Sequence, residues 1–373
     1  VLSLRVLKGS GPAAASRWLL VGLASCGTGL LLLGALGWAL AHPNAGTSDA
    51  VVRLGWCVVP VVVTVQLAVA VARAQPAAWP RAGLDAAGLG RSGLVLLGAA
   101  SAAVVCAAGS VVALPLFLLL RGDLAGGPYH GIAPGLLATG HHLPPAGVVT
   151  LLAVVPVAAG VTAATGRLGT GRRTSSDEPS GTPSGLPWGI ALVAAGLGVE
   201  AGAPGGHDIP LPSGLGSIAS AAAGGWVLAA VGLVLAGPGL VHLGGRLLAA
   251  FRPGAIRLLS GRALQQEAHR IGPPLGLLSA ATAAAVSAHG LRPGHPLGHV
   301  TVFAATLVAV CVLAIAAMAA VESRSTRRPA AATMRDLAVS PAVLRSVLAL
   351  RAGVLLVAFL LPALLVAAMS PKP

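Results

Sequence analysis

The sequence predicts an all-α, polytopic membrane protein with about nine transmembrane helices, nine to ten in all, and an N-in start. Three observations carry that expectation. The 373-residue chain is 55% hydrophobic, only 9% charged and 3% aromatic, which is too little polar surface for a water-facing globule of this size. Nine stretches are apolar enough to cross a bilayer, most of them meeting the roughly 20 residues that about 30 Å of hydrocarbon requires. The arginines between them fall almost wholly on alternate loops.

In chain order the spans are Trp18 to Ala41, Val51 to Ala72, Gly93 to Leu120, Gly147 to Thr165 and Leu186 to Ala203, then Ser217 to Leu243, Pro273 to Leu291, His299 to Val321 and Ala352 to Met369. The first is too long for a removed signal peptide and lacks a small-residue cleavage site followed by a soluble domain, so it reads as a retained span. Pro60, Pro156 and Pro238 fall mid-span and permit kinks. Gly27, Gly29, Gly34 and Gly37 offer small surfaces for general helix packing.

Of 24 basic residues, 20 lie on the N-terminus and the even-numbered gaps; the other side holds only Arg53, Arg121, Arg292 and Lys372. That asymmetry predicts N-in and C-out. The net charge of +14 is then the inner-face bias of a membrane protein spread over five loops, so nucleic acid is excluded as a partner. Anionic lipid headgroups fit better, at about 1 kcal/mol per basic residue near the surface. Cys26, Cys57, Cys106 and Cys311 sit inside spans with no C-x-x-C pair, as buried small hydrophobes. Arginine outnumbers lysine 22 to 2 amid abundant alanine and glycine, which points to a GC-rich bacterial genome and a multi-pass protein of the bacterial cell membrane.

Two halves repeat one plan. Residues 1–165 form a first membrane module, 166–187 a flexible cytoplasmic linker rich in Ser, Gly and Pro, 188–243 a connecting pair of spans, and 244–373 a second module lacking its fourth helix. The inner stretch Leu84 to Leu94 aligns with Met334 to Leu344 at a constant offset of 250. Each stretch runs into a span with a proline near its outer end, Pro115 and Pro362. Both copies enter from the same side, so they are parallel repeats of the kind many transporters carry.

The most specific local signal follows the eighth span. Glu322-Ser323-Arg324-Ser325-Thr326-Arg327-Arg328 closes it, and Pro329 to Val339 is expected to form a short helix with Met334 and Leu337 three apart. Ser340 caps the next helix with Pro341 in its first turn, where the missing N–H costs nothing. Such a compact apolar ridge flanked by charge fits a cleft on a cytoplasmic partner.

At Glu322, Arg324, Arg335, Leu337, Val339, Ser340 and Leu344, and more weakly at Leu84, Ala87, Leu89 and Gly90, the chain resembles the FtsX-like (MacB-type) permeases of ABC transporters. The resemblance implies two FtsX-like modules, a separate ABC ATPase subunit in two copies, and coupling to it through Arg335, Asp336, Leu337 and Ser340 with Leu84, Asp85 and Leu89. It also implies export or extraction of an amphipathic or lipid-like molecule. The ten-span antimicrobial-peptide-resistance permeases are similar in plan but carry a large ectodomain, and the longest outer gap here, residues 121–146, has no room for one.

Neither lysine, Lys8 or Lys372, sits in a phosphate-binding loop, so the chain is expected to be no enzyme and to hold no cofactor or metal. A secondary transporter or a membrane sensor without an ATPase is the alternative. Secondary transport generally needs ionisable groups near the midplane, yet the acids, Glu267 and Glu322 included, fall at loops or span ends, with Glu200 near the outer end of the fifth span. His289, His295 and His299 cluster by sequence around an outer turn without an acidic companion, and no H-E-x-x-H or Ser-His-Asp order lies in any span.

Overall fold

The computed structural model describes residues 12–42, 47–74, 91–121, 143–171, 185–202, 208–210, 217–250, 254–291, 298–336 and 341–369. These form ten helices and one pair of three-residue strands. The helices are α1 (Pro12–Ala41), α2 (Thr47–Trp56), α3 (Val58–Ala74), α4 (Arg91–Arg121), α5 (Pro145–Gly171), α6 (Gly185–Gly202), α7 (Ser220–Ala250), α8 (Ala255–Leu291), α9 (His299–Asp336) and α10 (Pro341–Met369). Between α6 and α7, β1 (Asp208–Pro210) pairs antiparallel with β2 (Ser217–Ala219), Ile209 opposite Ile218.

Each expected span falls mainly on a helix, the second on two, and the span expected from Ser217 opens instead in β2, its helix beginning at Ser220. Among the described residues, eight helical segments are long and apolar enough to cross a membrane, and the chain is a multi-pass membrane protein. The expected span Pro273 to Leu291 is the second half of α8 and is not among those eight. Arg257, Arg262, Glu267 and Arg270 occupy the first half of that helix, and alanine, serine and threonine dilute the second. The second expected span is broken: Pro60 has no N–H for the carbonyl of Trp56, so α2 ends there. A turn at Cys57 intervenes, its N–H donating to Leu54 O at 3.1 Å. The short helix expected from Pro329 is instead continuous with the eighth span, as the end of α9.

The chain forms two compact units. Unit 1 is Val1–Asp177 with Gly298–Cys311, and unit 2 is Glu178–Leu297 with Val312–Pro373, so α9 contributes to both.

In unit 1, α1, α3, α4 and α5 pack on one another, with α2 beside α1. Buried Leu33, Phe117 and Val148 join α1, α4 and α5, with Leu30, Leu36 and Leu114 around them. α1 and α4 cross at small residues: a Cβ on Gly109 would collide with the carbonyl oxygen of Gly22, and one on Gly29 would stand 2.9 Å from the Ala113 methyl. Backbones that close exclude side chains at the crossing, which is the membrane use of glycine.

In unit 2, α7 is the central helix. α6 lies antiparallel on one side of it, α8 antiparallel on another, and α10 against α8 and α7. Gly225, Gly232 and Gly239 recur every seven residues on α7 and face α6, where Gly189 and Gly196 keep the same spacing. A Cβ on Gly232 would stand 2.7 Å from the Gly189 carbonyl oxygen, and one on Gly196 would stand 2.6 Å from that of Gly225. A different face of α7 meets α8: Gly276 abuts Val234, Gly272 abuts Pro238 and Gly261 abuts Gly245. Ala229, Leu233, Ala283 and Val366 close the apolar core of these helices.

Candidate functional site

The arginine-rich end of unit 2 gathers its charge. α8 carries Glu267 and Arg270, α10 carries Arg351, and the Arg351 guanidinium lies 3.2 Å from the Glu267 carboxylate. Both are inside the packing, the Arg351 side chain 7% exposed and that of Glu267 16%. A guanidinium withdrawn from water is costly unless a carboxylate and further polar groups surround it. Glu267 supplies the carboxylate.

Contacts along the helices set its depth. Ser279 Oγ of α8 donates to Phe359 O of α10 at 3.0 Å, and Glu267 meets Arg351 nearer the N-terminal ends of the same two helices. Those helices therefore run parallel. Val241 of α7 packs with Leu264 and Ala268 of α8, with Leu248, Val354 and Leu355 against them, so the ion pair sits level with the last apolar turns of α7. There α7 turns polar: buried His242 has Arg246 and His269 in its electrostatic surroundings.

A narrow cleft opens beside the pair, lined by Glu267, Arg270 and Ile271 of α8 and by Ala319, Glu322 and Ser323 of α9. Just past it α8 contains Pro273 and Pro274. Neither proline has an N–H, so the carbonyls of His269 and Arg270 lack their intrahelical donors and the hydrogen-bond ladder is interrupted one turn from Glu267. The arrangement can hold helices in a fixed register and bend beside the point where it holds them. Among the described residues no group of three His, Cys, Asp or Glu is placed to bind a metal.

No family model, curated protein or solved structure matches this chain.

Of the residues expected to couple to an ATPase, Arg335 and Asp336 are the last two of α9. Leu337 and Ser340, and Leu84, Asp85 and Leu89, lie outside the described residues. Glu322 and Ser323, expected at the end of the eighth span, line the cleft. Missed in the sequence was the pairing of Glu267 with Arg351. A signal for it existed, because Glu267 stands six residues ahead of the apolar run from Pro273 and Arg351 one residue ahead of the run from Ala352. Two opposite charges at the same border of two spans can meet if the helices are neighbours, and neighbourhood is what the sequence does not state.

Two further polar sites lie apart from this cluster. In unit 1, Ser25 Oγ donates to Cys106 O at 2.7 Å and lies 3.2 Å from Ser110 Oγ, while the hydroxyls of Thr28 and Thr64 are 2.8 Å apart. These bonds join α1 to α4 and α3. In unit 2, Trp226 Nε1 donates to Glu200 Oε1 at 2.7 Å, and Glu200 is buried at the end of α6.

Proposed function

We propose that the chain is the membrane permease subunit of an ABC transporter of the FtsX-like type, set N-in in a bacterial plasma membrane. On this reading it moves an amphipathic or lipid-like molecule using a separate ATPase in two copies. The observation that supports it most is the length of α9. Its apolar run ends near Val321, yet the helix continues through residues 322–336, about 22 Å at 1.5 Å per residue. α10 begins at Pro341. A stiff extension of that length carries Arg335 and Asp336 clear of the hydrocarbon, and the chain from Leu337 to Ser340 joins two helices that both run into the membrane. Force applied there would reach the spans without an intervening flexible loop.

The test is copurification with an ATP-binding cassette protein, with ATP-dependent transport in vesicles. Leu337→Asp would set a charge in the partner's cleft, where burial without a counter-charge costs on the order of a few kcal/mol, enough to weaken docking by well over tenfold. Insertion should survive, since the residue precedes α10; Ala342→Ser serves as the mild control. Normal complex formation and transport by Leu337→Asp would remove the coupling assignment.

A proton-coupled carrier is the second reading, favoured by the burial of Glu200 within an otherwise apolar helix. Transport that follows an imposed pH gradient without ATP, and fails in Glu200→Gln, would select it.

A further inference from the structure

We propose that the Glu267–Arg351 ion pair is the joint through which movement of the α9–α10 connection reaches the helix block of unit 2, with Glu267 as the positioning residue. This rests on the permease reading above. Arg351 lies ten residues beyond Pro341 on one unbroken helix, so it travels with the start of α10. Its partner is on α8, which is seated against α7 at Gly261, Gly272 and Gly276, and α7 is seated in turn against α6. Displacing the start of α10 therefore loads α8 at Glu267 before it loads anything deeper.

α9 reaches the same place. Glu322 and Ser323 line one cleft with Glu267 and Arg270, so α9 borders α8 within one turn of the residue that α10 grips. The interrupted ladder at Pro273 and Pro274 lies immediately beyond, on the membrane side. A push delivered at Glu267 thus arrives next to the segment of α8 least able to resist bending. An apolar contact at this position would hold the helices at least as firmly. A buried ion pair adds direction, because the carboxylate and guanidinium lose their stabilisation quickly when either slides out of register.

The experiment uses the full chain in sealed lipid vesicles that carry a fluorescent phospholipid as the transported amphipathic probe, with and without its ATPase. Glu267→Gln, Arg351→Gln and the exchange Glu267→Arg with Arg351→Glu are compared for ATPase binding, ATP hydrolysis, transport per ATP and thermal unfolding. Nitroxide labels at Arg270 and Arg345, both exposed, report the spacing of α8 and α10. The expected result is ATP hydrolysis close to the unmodified protein in both single variants, transport per ATP lowered about tenfold or more, and recovery of most of that loss in the exchange. The label distance should lengthen or broaden in the single variants and return in the exchange.

Unchanged transport per ATP in both single variants would overturn the proposal. So would a loss that tracks thermal unfolding alone and is not recovered by the exchange. Should the unmodified chain bind no ATPase, the permease reading falls, and the joint is then judged on the label distances. Distances unaffected by Glu267→Gln would overturn it as well.

Discussion

At Gly109 the α1–α4 crossing has no room for a side chain, because the obstacle is the Gly22 carbonyl and not the tip of a flexible residue. Gly109→Leu must push two helix backbones apart, at a cost of about 3 kcal/mol or more. The hydroxyl bond between Thr28 and Thr64 spans a neighbouring contact, yet interhelical bonds of this kind in membranes average about 0.6 kcal/mol. Packing should therefore outweigh hydrogen bonding in unit 1. Thermal unfolding in detergent is expected to show Gly109→Leu severely destabilised and Thr28→Val within about 1 kcal/mol of the unmodified protein; the reverse ranking would mean that the hydroxyls hold these helices together. Of the glycines singled out in the sequence, Gly29 meets Ala113 and Gly27 lies under Leu307, while a Cβ on Gly34 would touch nothing within 4 Å. Composition could identify a small-residue surface here but not its facing direction, because glycine is too frequent in this chain for spacing alone to select the buried ones.

Among the helices, α6 and α7 show how a seven-residue spacing of glycine builds a close antiparallel pair. Gly224 is next to Gly225 in sequence, but a Cβ there meets nothing within 4 Å, whereas Gly225 is pressed on the Gly196 carbonyl. Gly232→Leu should separate α6 from α7 and lower the melting temperature sharply, while Gly224→Leu should leave it nearly unchanged. A cysteine cross-link between α6 and α7 that forms equally well in both variants would contradict this packing. The existence of the long helices was legible from apolar run length, whereas the β1–β2 pair, whose second strand takes the start of the span expected from Ser217, was not. Nor were two boundaries. Pro60 divides a run that looks uniform, since one missing N–H decides the break, and α8 continues through Pro273 and Pro274 because α7 supports it on both sides of them. Local propensity argues for a boundary at a double proline, and tertiary contact overrides it.

For the whole molecule, the split of basic residues predicts that cysteines placed in residues 167–187 react with an impermeant reagent only from the cytoplasm, and those in residues 122–142 only from outside. The opposite pattern would invert the protein and put the α9–α10 connection out of reach of the ATPase proposed for it. The Glu267–Arg351 pair belongs to this scale too, as its partners are 84 residues apart in sequence and were readable only as two charges at span borders. Run length and charge asymmetry give the membrane character of the chain. Which helices are neighbours is decided by side-chain fit, and that was hidden.

The dual membership of α9 bears on how the protein is made. Residues Gly298–Cys311 complete unit 1, yet the ribosome reaches them only after synthesising all of Glu178–Leu297, which belongs to unit 2. Domains generally fold as units during synthesis, the N-terminal one first. Here the N-terminal one must wait: the flank of α1 at Gly27, occupied in the finished protein by Leu307 and Phe303, faces lipid or the insertion machinery while five helices stand assembled without their last neighbour. Nascent chains released before residue 298 would carry that vacant groove, a natural mark by which membrane quality control could tell an unfinished copy from a complete one.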